Sequence, residues 1–182
     1  VFYSILLKQR IISIKKFNLL KKKALLGGQL ETFNLAKHVD WNTGSLGHSI
    51  GVCIGFAIAN PKKKVWTIVG DAEIDEGSVW EAALFAPAKK LNNLCVFVDY
   101  NKWQATGKSK EILNLHPLKE KFKYFGWNTI EINGHNHKEI IRACMIAKRQ
   151  SKKPTIIIAN TTKGKGVSFM ENDNNWHYRI PT

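Results

Sequence analysis

The sequence predicts an α/β fold with a mainly parallel sheet flanked by helices on both faces. Two short runs, residues 65–69 (VWTIV) and 94–98 (LCVFV), are continuously apolar, as is typical of strands buried on both faces. Stretches with apolar residues at helical spacing alternate with further strand-like runs. That alternation indicates parallel strands joined by helices. The 182 residues are enough for one domain with a full hydrophobic core.

The sequence of residues 1–61 predicts two helices joined by an irregular segment. Residues 1–24 are amphipathic, rich in lysine and free of Pro and Gly, so we expect a helix there. Residues 25–43 are irregular, with Gly27-Gly28 as a breaker. The next helix begins at the loop 44–47, carries apolar residues at helical spacing and ends at Pro61.

The remaining elements follow from the same patterns. The first apolar strand leads into a polar loop, 70–77, and then into a helix over 78–91, which Pro87 should kink or shorten. The second apolar strand leads into the loop 99–107. The chain then continues with a helix at 117–125, a strand at 127–132, a helix at 138–149 and a strand at 155–159.

The chain is strongly basic, with 28 Lys and Arg against 14 Asp and Glu and a formal net charge of +14. Nucleic acid, an acidic partner or an anionic ligand are all compatible with that charge. The sequence contains no recognised nucleic-acid motif, so we expect no nucleic-acid partner. The lysines cluster where we predict element ends, which favours a solvated surface. The clusters are Lys21-Lys22-Lys23, Lys62-Lys63-Lys64, Lys89-Lys90 and Lys152-Lys153.

The three cysteines, Cys53, Cys95 and Cys144, are odd in number and widely spaced. The chain has no Cys-x-x-Cys pair and no secretory signal peptide. We therefore expect buried thiols in a cytoplasmic protein. No apolar run reaches the length of a membrane-spanning helix, so we also expect no membrane association.

The two polar loops that follow the apolar strands are the first candidate site. Asp71 and Asn101 each lie just past a strand end, and their side chains converge if the two strands are neighbours. A carboxylate and an amide oxygen, completed by a backbone carbonyl and phosphate oxygens, suit Mg²⁺. The simpler interpretation is that both residues cap their loops without a metal.

Three other loops offer weaker signals. The loop 44–47 opens a helix, where small residues let backbone N–H groups approach a phosphate, although a plain helix start explains it as well. Lys163-Gly164-Lys165-Gly166 places two cations after the last strand. His135 and His137 lie in a turn around Asn133-Gly134, and the polarity of that loop accounts for them.

Taken together, three segments resemble the N-terminal, diphosphate-binding half of transketolase. They are TGSLGHSIGVCIGFAIA, GDAEIDEGSVWEAALFA and KLNNLCVFVDYNKWQATG. The likeness is closest to the bacterial and archaeal type with separate N- and C-terminal subunits. The tail TTKGKGVSFMENDNNWHYRIP is similar to the segment after that family's last core strand. The resemblance implies the thiamine diphosphate-binding fold, and it places residues 1–182 in one such domain that lacks its N-terminal segment and C-terminal end.

The resemblance implies roles for matched residues. Asp71 and Asn101 would bind Mg²⁺ through their side chains, and Trp103 through its backbone carbonyl. Glu76 would pair, across the subunit interface, with the glutamate that activates the aminopyrimidine, and His177 would lie near the reacting centre. The residues that would line thiamine diphosphate are Leu46, Gly70, Asp71, Ala72, Asn101, Gly134 and His135.

The implied reaction is transfer of a two-carbon ketol unit from a ketose phosphate to an aldose phosphate, as in the pentose phosphate pathway. The implied partner is a C-terminal, pyrimidine-binding transketolase subunit, in a dimer or heterotetramer. Two alternatives stay open. One is a related thiamine diphosphate enzyme, such as a deoxyxylulose-phosphate synthase or a 2-oxo acid dehydrogenase α chain. The other is a truncated, non-catalytic fragment.

The chain departs from the family's pattern at three positions. Ala72 replaces the second glycine of Gly-Asp-Gly, so we expect either crowding of the diphosphate or a requirement for negative φ. Gln29 stands where the family usually has an active-site histidine, and Ser49 where it usually has a glycine. These substitutions are the reason for keeping the non-catalytic alternative.

Overall fold

The structure is a computed structural model that describes residues 2–22 and 44–179. Contacts divide the chain into two compact units, Val1–Ser45 and Leu46–Thr182. The prediction of one domain over residues 1–182 stays a prediction. The irregular segment expected around Gly27-Gly28, including Gln29, lies outside the described residues.

The first unit contains two short helices where the sequence predicts one over residues 1–24. Helix α1 spans Phe2–Lys8 and helix α2 spans Ile14–Lys22. The turn between them includes Arg10 at a φ of 57°, a left-handed conformation that interrupts an α-helix. The turn brings apolar side chains of both helices into one small buried cluster, formed by Tyr3, Leu6, Ile12 and Leu20.

The second unit alternates helices and strands in the predicted order. Its elements are α3 (His48–Ala59), β1 (Val65–Gly70), α4 (Asp71–Ile74), α5 (Gly77–Ala88), β2 (Leu94–Tyr100), β3 (Trp103–Gln104), β4 (Gly107–Lys108), α6 (Ser109–Ile112), α7 (Leu118–Tyr124), β5 (Asn128–Asn133), α8 (His137–Arg149) and β6 (Thr155–Asn160). Two 3₁₀ turns follow, Ser168–Met170 and Asn174–His177.

Strands β1, β2, β6 and β5 form one sheet in that order, and all neighbouring strands are parallel. The register pairs Val65 with Leu94, and Thr155 with both Cys95 and Asn128, so the four strands begin at nearly the same level. We call the end where they begin the amino edge and the end where they finish the carboxyl edge. In such sheets ligands bind at the carboxyl edge.

Helices cover both faces of the sheet, as predicted. On one face, the buried side chains of Val96, Val98, Ile156 and Ile158 belong to a core shared with α3, α5 and α7. On the other face, Cys95 and Ile157 pack with the alanines of α8. Successive residues of β2 and β6 point to opposite faces of the sheet. Because both faces are covered by helices at these strands, two consecutive residues both face a core and are apolar. This explains the continuous apolar run of β2. The prediction that residues 65–69 are buried on both faces is wrong: β1 is the edge strand, and on one of its faces Trp66 is 36% and Ile68 69% exposed.

Three local predictions differ in detail from the structure. The loop expected at 70–77 begins with the one-turn helix α4, so Asp71 is helical rather than irregular. Helix α5 ends at Ala88 instead of residue 91, which confirms the shortening expected from Pro87. The loop expected at 99–107 contains the small antiparallel hairpin β3–β4. Among the described helices, none has the length and apolar character needed to cross a bilayer.

Candidate functional site

Asp71 and Asn101 lie together at the carboxyl edge. Asp71 is the first residue of α4, directly after β1, and Asn101 directly follows β2. Because β1 and β2 are neighbours, the two strand ends adjoin, and the Asn101 amide donates a hydrogen bond of 2.8 Å to Asp71 Oδ2. The two residues are therefore adjacent, as predicted from the two strand ends, but the contact is made by the backbone amide of Asn101 and not by its side chain.

The Asp71 carboxylate is buried, with 5% of the residue exposed. It also accepts hydrogen bonds from the Lys102 amide at 3.2 Å and the Ser109 hydroxyl at 2.9 Å. Burial raises the pKa of Asp71, and nearby Asp99 adds to the rise, while the hydrogen bonds from Ser109, Asn101 and Lys102 oppose it. No cation pairs with Asp71 in the part of the chain that the structure describes. A bound metal ion would supply the missing counter-charge.

The oxygen atoms around Asp71 are of the kind that Mg²⁺ prefers. The Asn101 side-chain oxygen accepts from the Trp103 amide at 2.9 Å, which places both residues in one tight turn beside Asp71. The turn offers a carboxylate, an amide oxygen and backbone carbonyls, which are hard ligands. Residues 2–22 and 44–179 contain no cluster of three His, Cys, Asp or Glu side chains suited to a metal. A cation here would thus depend on amide and backbone oxygens as well as on Asp71.

The glycine loop before α3 is tied to the acidic segment after β1. Glu73 Oε1 accepts from the Gly47 amide at 3.1 Å and from the Ser49 hydroxyl at 2.9 Å. The Ser78 hydroxyl donates to the Gly47 carbonyl at 3.2 Å. Gly47 has a φ of 82°, and a Cβ there would lie 2.7 Å from Glu76 Cβ. The loop therefore needs glycine at this position, and it holds the exposed Leu46 beside the same edge.

Gly70 leaves space beside its backbone, and Ala72 adopts a helical backbone conformation. A Cβ added to Gly70 would meet no atom within 4 Å, so the space beside this backbone is open. Ala72 lies within α4 at a negative φ, which any residue can adopt. The expected requirement for negative φ at Ala72 is therefore met without strain.

The turn between β5 and α8 packs against the end of β6. The Gly134 amide donates to the Asn160 carbonyl at 2.8 Å, and a side chain at Gly134 would collide with Thr161. His135 Nε2 accepts a hydrogen bond of 2.7 Å from the Thr162 amide. The neighbouring His137 is exposed at the start of α8.

His177 lies in the last 3₁₀ turn, opposite Lys163. The Lys163 ammonium is 3.1 Å from His177 Nδ1. An ammonium only donates, so Nδ1 is the acceptor and the imidazole carries its proton on Nε2. Desolvation lowers the pKa of His177, and the charge of Lys163 lowers it further. Within the described residues, the hydrogen bonds of His177 reach Lys163 and not Asp71 or Asn101.

The terminal segment is connected to the loop that carries Trp103. The Asn174 side chain donates to the Ala105 carbonyl at 3.0 Å. The Asn172 amide donates to the Lys163 carbonyl at 2.9 Å, which closes the loop after β6 onto the same segment. The loops after β1, β2, β5 and β6 all lie at the carboxyl edge. The predicted site residues in the loops directly after these strands are Asp71, Ala72, Glu76, Asn101, Trp103, Gly134 and His135.

Sequence reasoning missed Glu73 and Ser109. Glu73 lies in the polar loop predicted at 70–77, which holds four of the chain's 14 Asp and Glu residues. The sequence does not show which of these acids contacts the glycine loop. Ser109 lies 38 residues from Asp71 along the chain. No pattern in the sequence links the two.

The fold and the site define an α/β protein with a candidate site of polar loops at the carboxyl ends of parallel strands. The family profile described as "Transketolase, thiamine diphosphate binding domain" matches residues 6–179. The chain belongs to this family.

Relatives and solved structures agree with that assignment. The 6-deoxy-6-sulfo-D-fructose transketolase subunit SqwG of Clostridium sp. (strain MSTE9) is 46% identical over 137 residues, covering 73% of this chain and 50% of the relative. An apulose-4-phosphate transketolase subunit of Phocaeicola vulgatus is 38% identical over 148 residues, covering 79% and 53%. The crystal structure of Campylobacter jejuni transketolase matches with a TM-score of 0.71 at 30% identity, over 76% of this chain and 23% of the other. This chain spans about half the length of the two curated relatives.

Proposed function

We propose that this chain is the thiamine diphosphate-binding part of a transketolase that transfers a two-carbon ketol unit from a ketose phosphate to an aldose phosphate. The observation that carries the proposal is the Asp71–Asn101 pair at the carboxyl edge of a chain that belongs to this family. When bound, thiamine diphosphate supplies the thiazolium carbon that carries the ketol unit. The protein binds and orients the reactants around it.

Asp71, Asn101 and the backbone carbonyl of Trp103 would hold Mg²⁺. Their oxygen chemistry, and the buried Asp71 carboxylate without a cation, support this assignment. The ion would in turn anchor the diphosphate of the cofactor. The backbone at Gly70, Ala72 and Leu46, together with the Gly134-His135 turn, would line the cofactor, and the open space beside Gly70 supports that placement.

We assign two side chains to the chemistry. Glu76 is exposed at the N-terminus of α5 and would pair with a glutamate of the partner subunit. His177 would lie near the reacting groups. Its lowered pKa favours the neutral imidazole, which can accept or donate a hydrogen bond to substrate.

A partner chain is part of the proposal. The two curated relatives are named as transketolase subunits. Helices α3 and α5 leave the large apolar side chains of Phe56, Ile58, Leu84 and Phe85 about half exposed. Helices that are apolar on all sides are typical of buried positions in an assembly. We propose that a C-terminal, pyrimidine-binding subunit covers them, in a dimer or heterotetramer.

Cofactor binding is the first test. Titration calorimetry of the chain co-purified with its partner, with and without Mg²⁺, should show Mg²⁺-dependent binding of thiamine diphosphate. Asp71→Ala should abolish that binding at concentrations that saturate the wild type. Glu120→Gln, which removes an exposed acid of α7, serves as the matched control. Binding that is insensitive to both Mg²⁺ and Asp71→Ala would refute the assigned site.

Ketol transfer is a separate test. The assembled complex should exchange ketol units between a ketose phosphate and an aldose phosphate, and the donor panel should include the two sugars that appear in the relatives' names. Cofactor binding without any exchange would favour the non-catalytic alternative and would leave the cofactor site intact.

A further inference from the structure

The amino edge, opposite the carboxyl edge where the cofactor is proposed to bind, is strongly basic. Four connections reach it, and three of them, residues 60–64, 87–93 and 148–154, contain lysines and no Asp or Glu. The sequence shows these lysines as separate clusters, whereas the level start of the four strands brings the clusters to one edge. The cations involved are Lys62, Lys63, Lys64, Lys89, Lys90, Lys148, Arg149, Lys152 and Lys153.

Side-chain hydrogen bonds tie these connections together. Lys64 Nζ donates to the Asn92 carbonyl at 2.6 Å and to the Gln150 carbonyl at 3.0 Å. The Asn92 side chain donates to the Ser151 carbonyl at 2.6 Å, and the Asn93 side chain donates to the Ala57 carbonyl at 2.9 Å. The backbone beneath the exposed lysines is therefore held in place, so a ligand would not have to order these connections.

Two open grooves adjoin at this edge and share Lys152 and Lys153. One groove also contains Lys90 and Phe125, and the other contains Lys119, Lys123 and Trp127. The two ion pairs among the described residues, Lys108–Glu111 and Lys165–Glu171, involve none of the cations of this edge.

One exposed aromatic residue, Tyr124, is a neighbour in the chain of residues that line the two grooves, without lining either groove itself. Tyr124 is 86% exposed and lies in the chain between Lys123, which lines one groove, and Phe125, which lines the other. An exposed aromatic ring next to a basic groove is typical of surfaces that stack bases and neutralise phosphates.

We propose that the amino edge binds single-stranded nucleic acid, with lysines on the phosphates and Tyr124 stacked on a base. This reverses the expectation of no nucleic-acid partner, which rested on the lack of a sequence motif, because the lysine clusters come together only in the folded sheet. The lysines of the two grooves supply the phosphate contacts, so affinity depends on salt. This surface is separate from the carboxyl edge, so the proposal does not depend on the cofactor site.

Fluorescence anisotropy with a labelled oligouridylate tests the proposal on the full chain. The fourfold variant Lys119→Gln, Lys123→Gln, Lys152→Gln, Lys153→Gln should weaken binding by about tenfold or more, since several phosphate contacts are lost. The matched control changes four exposed lysines of the first unit, Lys8, Lys15, Lys16 and Lys22, to Gln. It removes the same charge and should weaken binding far less. Equal losses of affinity in the two variants would show that binding depends on net charge alone, and this result would overturn the proposal.

Tyr124 provides a second, independent readout. Tyr124→Ala should weaken binding by about fivefold or more, and Tyr124→Phe should restore it, because stacking needs the ring and not the hydroxyl. An oligoglutamate of equal length that competes as well as the oligouridylate would overturn the proposal in favour of an acidic polypeptide. Absence of binding at about 50 mM salt, where phosphate contacts are strong, would overturn it as well.

Discussion

Glu73 and Ser49 form a direct hydrogen bond of 2.9 Å between two elements that flank the candidate site. The same carboxylate oxygen accepts from the Gly47 amide at 3.1 Å. One acid of the segment after β1 thus holds the start of α3, and with it the loop that presents Leu46. Glu73 contacts the loop and not the proposed metal ligands, so we regard it as a positioning residue.

Loss of this carboxylate should loosen the loop. We expect Glu73→Gln to weaken Mg²⁺-dependent binding of thiamine diphosphate by about tenfold, because hydrogen bonds to a charged acceptor contribute about 1.5–3 kcal/mol. Ser49→Ala, which removes one of the two donors, should have a smaller effect in the same direction. Calorimetric titration of the assembled complex measures both. Ser151→Ala, on the amino edge, is the control, and unchanged affinity in Glu73→Gln would contradict the positioning role.

Gly47 precedes α3 and Gly55 lies inside it, and replacing each by alanine should change the stability of the chain in opposite directions. Gly47 has a φ of 82°, and a Cβ would lie 2.5 Å from Ser78 Oγ. Gly47→Ala should therefore lower the free energy of unfolding by about 1–3 kcal/mol. A Cβ at Gly55 meets nothing within 4 Å, and the residue lies inside α3. Gly55→Ala should raise the free energy of unfolding by about 0.5–1 kcal/mol. Urea denaturation of the isolated chain measures both, and a shift of the same sign for the two variants would be inconsistent with this geometry.

Substitution of Trp127 tests how tightly the core beneath α5 and α7 is packed. The side chain is 2% exposed, and its indole N–H donates to the Ala83 carbonyl at 2.8 Å. Trp127→Phe leaves that carbonyl without its donor and creates a cavity, so we expect a loss of about 2–4 kcal/mol in the free energy of unfolding. Trp66→Phe, at a partly exposed tryptophan of β1, should cost about 1 kcal/mol or less. Similar losses at the two positions would indicate that Trp127 is less tightly packed than the structure shows.

The pKa of His177 should lie below 6.5 in the folded chain. Desolvation is the larger cause of the lowered pKa, and the positive charge of Lys163 adds to it. Replacing this lysine in Lys163→Met should therefore raise the pKa of His177. NMR titration of the imidazole resonances, assigned with His177→Gln, measures the change, and Lys165→Met is the matched control. At pH values between the lowered pKa and 6.5, His177 is protonated to a greater extent in the unfolded chain than in the folded chain. The contribution of His177 to stability is therefore present above pH 6.5 and lost as the pH falls through the lowered pKa. A pKa that does not respond to Lys163→Met would exclude the proposed contact.

The sequence predicts the elements of the second unit well because local physical chemistry determines them. Strand β2 is apolar at every buried position, and β6 is apolar at every buried position except Thr155. The helix start near Gly47 and the helix end near Pro87 also have clear local signals. The convergence of Asp71 with Asn101 follows from two strand ends and the assumption that the strands are neighbours. That assumption is correct here.

Other features depend on tertiary packing and leave no local signal. The position of β6 between β2 and β5 is set by long-range pairing, which no residue pattern encodes by itself. The turn at Arg10 interrupts a sequence that reads as one helix, because packing of Ile12 with Leu6 overrides helix propensity. Ser109 reaches Asp71 only once the chain has folded. The basic amino edge likewise exists only in the assembled sheet, since its lysine clusters lie far apart along the chain.

The place of β6 in the sheet also has a consequence for synthesis on the ribosome. The strand that joins β2 to β5 is the last of the four to be translated. Until it emerges, β2 has one open side and β5 has no partner, so a nascent chain that stops short of Thr155 carries unpaired strand edges. Completion of the sheet must therefore wait for the final strand, and chaperone capture during translation should concentrate in that interval.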